Sequence, residues 1–119
     1  MSRVVQLTVA LVETSRLLDG TYPAELCEEA RVRRRLDKLS EEVGEVIAAY
    51  GGVVGENPRK GVTHELDDVL AELLDVAACA LGAYESLDGH QGRCVTMLLQ
   101  QTQDKRDRLA DAIRVVRGG

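Results

Sequence analysis

Leu36-Asp37-Lys38-Leu39-Ser40-Glu41-Glu42-Val43-Gly44-Glu45-Val46-Ile47-Ala48-Ala49-Tyr50 is the segment on which the fold turns. Wound at helical periodicity, it places Leu36, Leu39, Val43, Val46 or Ile47, and Tyr50 along one continuous apolar stripe, flanked by Lys38, Glu41, Glu42 and Glu45. One face packs and its neighbour is charged. The surrounding helix is predicted over residues 24–50, between breaks at 20–23 and 51–61 where Gly and Pro cluster.

Three further stretches share this character. Residues 4–18 carry Val4, Leu7, Leu11 and Leu18 at intervals of three, four and seven, as an amphipathic helix does. Residues 64–87, with Thr63 as the expected cap, have a stripe of Leu66, Val69, Leu73, Val76, Ala80 and Tyr84, and stop at Asp88-Gly89. Residues 93–116 put Leu98, Thr102, Leu109 and Ile113 on a weaker face among many Gln, Asp and Arg. Nothing reads as a strand and no repeat is present. The fold class expected is therefore all-α, a single domain over 1–119 with four helices in one bundle.

Composition narrows the function. The chain has 119 residues, 45% apolar and 29% charged, with no Trp or Phe and only three Tyr, so the core must be aliphatic. A core of this size is modest, and a partner subunit is expected to complete it. The formal charge of −5 argues against nucleic acid, whose recognition needs a basic face. No stretch approaches membrane-spanning length and the first residues lack the apolar run of a signal peptide. Cys27, Cys79 and Cys94 have no C-x-x-C spacing and read as buried, reduced thiols of a cytoplasmic protein.

The acids carry the chemistry. Residues three apart on a helix differ by about 60° in azimuth, so Glu42 with Glu45, and Glu72 with Asp75, each present two carboxylates on one side. Such acids are usually solvated faces. On the third helix, however, Glu65, Asp68, Glu72 and Asp75 fall within an arc of about 80° beside the apolar stripe. Like charges at these intervals repel by a few tenths of a kcal/mol per pair (about 0.2–0.5) unless a cation intervenes. Glu65 and Asp68 lie in the first turn, where the helix dipole favours acids by about 0.3–1 kcal/mol. Glu72 and Asp75 sit in a helix interior, where Asp is a poor residue, inside the apolar run Leu73-Leu74-Asp75-Val76-Ala77. They are the preferred second pair, with Glu65 and Asp68 kept as the alternative.

Lys38-Leu39-Ser40-Glu41-Glu42-Val43-Gly44-Glu45-Val46, followed after a loop by Glu72-Leu73-Leu74-Asp75-Val76, resembles the EExxE and ExxD motifs of the MazG-like, all-α nucleoside triphosphate pyrophosphohydrolases. The likeness covers about residues 36–81. It implies a four-helix MazG-like bundle completed by homo-oligomerisation, as a homodimer or homotetramer. It also implies Mg²⁺, with Mn²⁺ as the alternative ion, held by Glu42, Glu45, Glu72 and Asp75 against the phosphates of a nucleoside triphosphate. Water then releases a nucleoside monophosphate and pyrophosphate, with Glu41 as the carboxylate that takes the proton.

Lys38, Arg59 and Lys60 are the expected phosphate partners and Asn57 a polar one. The ordinary alternative for Lys38 is an ion pair with Glu41 and Glu42. Arg31, Arg33, Arg34 and Arg35 are expected to be a solvated face, with a secondary claim on the triphosphate. His64 and His90 have no metal-ligand spacing and are given no chemistry. The competing class is a non-catalytic regulatory bundle that binds a nucleotide or a protein.

Overall fold

The computed structural model describes residues 1–118. Four helices follow one another, α1 (Arg3–Asp19), α2 (Glu28–Val53), α3 (Leu66–Leu87) and α4 (Cys94–Val116), with no strand among the described residues. None is long and apolar enough to cross a membrane. Ser2 caps α1, its hydroxyl accepting the Val5 N–H at 3.2 Å, which satisfies one of the amides a helix start leaves free.

The boundaries differ from the sequence expectation in three places. Helix α2 starts at Glu28 rather than 24, because Pro23 opens a turn in which its carbonyl accepts the Leu26 N–H at 3.0 Å. At its other end α2 runs through Gly51 and Gly52 to Val53. This pair is no break: the α2–α3 loop lies directly on it. A Cβ on Gly52 would collide with the His64 ring and stand 2.6 Å from Thr63 Oγ1, and one on Gly51 would stand 2.5 Å from Glu56 Oε2. Helix α3 begins at Leu66 with Glu65 at its cap, where Asp68 Oδ2 accepts the Glu65 N–H at 2.8 Å. Thr63, expected at the cap, donates its N–H to the Gly52 carbonyl instead.

Helix α3 is the hub, packing against α2 and α1 and touching the start of α4. Gly52 meets Thr63 and His64, Glu45 meets Glu72, and Arg35 meets Gly82, so α2 and α3 form an antiparallel hairpin. The buried apolar side chains are Leu11, Ala49, Val69, Ala83 and Cys94. Most are small, which lets the helices approach closely; the expected Leu and Val stripes are largely half exposed instead, Leu36, Val43, Leu73 and Leu98 among them. From Thr96 onward α4 is exposed along its length. The Cα radius of gyration is 18.3 Å, against about 13.5 Å for a compact chain of this length.

Two polar contacts hold the hub. Glu85 of α3 is wholly buried, and its carboxylate accepts the Gly92 N–H at 2.8 Å and the Cys94 N–H at 2.9 Å. It thereby caps α4 from the preceding helix. Burial alone pushes this carboxyl upward, but the backbone N–H donors and the Cys94 thiol more than offset that and hold it below its ordinary range. The turn between the helices passes through Gly89 and His90, both at positive φ (77° and 56°). For His90 that conformation is strained, and its imidazole is held from inside.

Candidate metal centre

The antiparallel register brings three acids together. Glu42 and Glu45 of α2 and Glu72 of α3 each offer a carboxylate oxygen within 4.8 Å of the others. Glu42 and Glu72 are half-buried and Glu45 is exposed. Glu72 Oε2 is buried without a hydrogen-bond partner, the one such side-chain atom among the described residues. A buried carboxylate oxygen left unpaired beside two further carboxylates is unfavourable by several kcal/mol (about 2–7) for desolvation alone. A hard cation with oxygen ligands removes that penalty, and this donor set of carboxylates alone suits Mg²⁺ or Mn²⁺.

Asp75 stands outside this trio and is exposed. It lies one turn farther along α3, where with Glu41, Glu42 and Lys38 it lines a cleft of about 880 Å³ between α1 and α2. Lys38 Nζ is 3.6 Å from Glu41 and 3.4 Å from Glu42, and bonding to Glu42, then the charge of Glu41, raises its pKa. In this arrangement it answers the acids. Glu65 and Asp68 lie at the start of α3, exposed, and Asp68 is engaged with the Glu65 N–H.

The loop residues go elsewhere. Asn57 Oδ1 accepts the Arg59 N–H at 3.0 Å, and the Asn57 carbonyl accepts from Lys60 and Gly61, which closes the loop on itself. Asn57 and Lys60 line a separate hollow of about 360 Å³ with Glu56, Thr63 and His64. Gly52 at its edge is seven residues, or about 10 Å of helix, beyond Glu45. Within one chain Asn57, Arg59 and Lys60 are therefore not brought to the cleft of the acids.

One feature of the cleft was not legible as such in the sequence. Arg35, placed with Arg31, Arg33 and Arg34 on a solvated face, is 6% exposed. Its Nη2 donates to Ser15 O at 2.5 Å and Ser15 Oγ at 2.9 Å, and Nε and Nη2 share Asp19 Oδ1 at 3.1 and 3.0 Å. Asp19 Oδ2 accepts from Ser86 Oγ at 2.9 Å and lies 3.3 Å from His90 Nε2. Of the other three arginines, Arg33 is exposed and pairs with Glu29, Arg31 is half-buried and donates to the Leu26 and Pro23 carbonyls, and Arg34, exposed at the cleft's edge, lies 5.7 Å from the Tyr22 ring centroid.

Ser15, His90 and Asp19 are not a nucleophilic triad. Ser15 and Asp19 meet the same ring nitrogen, Nε2, and the Ser15 hydroxyl is wholly buried and donates to the Gly82 carbonyl at 2.8 Å. A triad needs the two on opposite nitrogens and an open hydroxyl. The group instead ties α1, α2, α3 and the α3–α4 turn together.

Compared with models of protein families, with curated proteins and with solved structures, the chain gives no match.

Proposed function

We propose that this chain is a Mg²⁺-dependent nucleoside triphosphate pyrophosphohydrolase that works as a homo-oligomer. The observation that carries the reading is the trio Glu42, Glu45 and Glu72 with its orphaned, buried Glu72 oxygen. Those residues would hold the ion, with Asp75 on the adjoining turn facing the cleft. When bound, the ion supplies charge neutralisation on the phosphates and a lowered pKa for water.

The remaining work falls to the chain itself. Glu41, exposed at the rim beside Glu42, accepts the proton of the attacking water. The water oxygen bonds to phosphorus, the bridge between the α- and β-phosphoryl groups breaks, and the electron pair leaves on the departing group. The products are a nucleoside monophosphate and pyrophosphate. Lys38, at the cleft beside Glu41 and Glu42, is the ammonium that would meet the phosphates. Asn57, Arg59 and Lys60 enter no step within one chain.

Surface area supports the oligomer. The accessible surface is 8918 Å², where a compact monomer of this mass exposes about 6,300 Å². The excess of roughly 2,600 Å² is the scale of an obligate interface.

The test is incubation with a nucleotide panel and Mg²⁺, with the products identified. Pyrophosphate and monophosphate are expected. Orthophosphate and diphosphate as primary products overturn the reading, and tight nucleotide binding without turnover favours a regulatory module.

A further inference from the structure

The cleft between α1 and α2 has two unlike ends. Toward one lie Glu41, Glu42 and Asp75; toward the other lies Arg35, seven residues before Glu42 and so about 10 Å away along α2. Leu7 and Leu11 of α1 wall it on one side, Ala78 and Cys79 of α3 on the other. Its volume of about 880 Å³ falls within the roughly 300–1,000 Å³ of small-molecule sites.

Arg35 is built in and yet incomplete. Nε and Nη2 are committed to Ser15 and Asp19, while Nη1 has no hydrogen-bond partner among the described residues. Nη1 is not sealed off either, since Glu72 Oε2 is the one buried side-chain atom left unpaired. It lies beside Gly82, where an added Cβ would stand 3.7 Å from it and touch nothing else. Because Asp19 already answers the guanidinium charge, Nη1 offers donors rather than a net positive field. It suits an uncharged acceptor.

Given the proposed function, on which this inference rests, the phosphates belong at the acidic end and the nucleoside extends along the aliphatic slot. We propose that Arg35 Nη1 reads the outer edge of the base, selecting bases with a carbonyl there over bases with an amine. Uracil, thymine and guanine present O4 or O6 as acceptors; cytosine and adenine present N4 or N6 as donors, which would face the guanidinium donor to donor. A donor that the bound base covers discriminates strongly, because the wrong base leaves it unpaired and out of water. The slot needs no aromatic stacking partner: the aliphatic walls hold the ring faces.

The probes are the phosphate-free nucleosides uridine, guanosine, cytidine and adenosine, titrated calorimetrically into the full chain in EDTA, so that neither the metal nor repulsion between phosphate and the carboxylates plays a part. Uridine and guanosine are expected to bind at least about tenfold tighter than cytidine and adenosine. Arg35 substitutions risk unfolding, so the test variant is Gly82→Ala, which favours the helix while setting a methyl against Nη1. The methyl covers one side of Nη1, so it should narrow the gap between uridine or guanosine and cytidine or adenosine. Equal affinities, a preference unchanged in Gly82→Ala, or no binding because a second copy fills the slot would each overturn the inference. Pyrophosphohydrolysis with Mg²⁺ can survive any of these results. A carbonyl preference in EDTA with no turnover in Mg²⁺ would keep the base site and reject the enzyme.

Discussion

Asp19 accepts both Nε–H and Nη2–H of Arg35 on the single oxygen Oδ1, which leaves Oδ2 free for Ser86 and His90. One carboxylate therefore serves three other elements. Asp19→Ala strands a buried guanidinium and should destabilise the chain by about 3–5 kcal/mol, whereas Asp19→Ala with Arg35→Met should recover much of that loss. Urea titrations of the two variants measure the difference; equal stabilities would show that the charge is not the reason.

Metal binding should be visible in stability as well as in activity. At a hundredfold excess over Kd, Mg²⁺ should stabilise the wild type by about 2.7 kcal/mol. Glu72→Gln removes a carboxylate that repels Glu42 and Glu45, so without metal it should melt no lower than wild type. Its Mg²⁺-dependent shift should vanish. An unchanged shift would place the ion elsewhere.

Acid should open the α3–α4 corner first. Against its burial, Glu85 is held below its ordinary range by the Gly92 N–H, the Cys94 thiol and the N–H groups of Cys94 and Arg93, and Asp88 by its hydrogen bond and charge pairing with Arg93. Both are depressed in the folded state, so their stabilisation is complete above the unfolded carboxylate values and is lost as pH falls through the folded ones. Amide protection factors in α4, corrected for the slower intrinsic exchange in acid, should fall below about pH 4.5 sooner than those in α2. Glu85→Ala, which leaves buried donors unpaired, should be destabilising by about 1–3 kcal/mol at neutral pH.

The three thiols should label in a fixed order. Cys27 is exposed, Cys79 partly covered and Cys94 buried, the first departing from the buried thiols expected. Burial, then Glu85, pushes Cys94 up to about 11, and burial, then Glu42, raises Cys79. Iodoacetamide at pH 8 should modify Cys27 first and Cys94 only on unfolding, as mass mapping would show.

Gly52→Ala tests the seat of the α2–α3 loop. Helix propensity favours the change by up to about 1 kcal/mol, yet the new methyl meets the His64 ring and Thr63. A net loss of about 1–3 kcal/mol is expected, read as a lower midpoint in urea; a net gain would show that the loop lifts off without cost.

The four helices were legible because their apolar periodicity is strong; Glu42 and Glu45 stood out by their three-residue spacing and Glu72 as an acid in a helix interior, whereas Asp75, singled out on the same ground as Glu72, falls outside the trio. What failed was local. Gly51 and Gly52 read as a stop, since a sequence cannot show that a distant loop needs the space above them. Arg35 read as one of a basic run, because its burial is made by Ser15 and Asp19 on another helix. Glu85 drew no reading from the sequence, because the amides it caps, those of Gly92 and Cys94, are brought to it only by the turn that follows α3. The Leu and Val stripes are half exposed; under the proposed oligomer they are the surface that a second copy covers.

The hairpin register has a consequence for how this protein can change over generations. Arg35 with Gly82, and Glu45 with Glu72, are rungs of one ladder between α2 and α3, so a one-residue insertion within α3 ahead of them would turn both partners by about 100° at once. Insertions in the intervening loop would leave both rungs in place. An insertion of that kind therefore loses the acidic trio and the seat of the guanidinium together, while the connection between the two helices is free to vary in length.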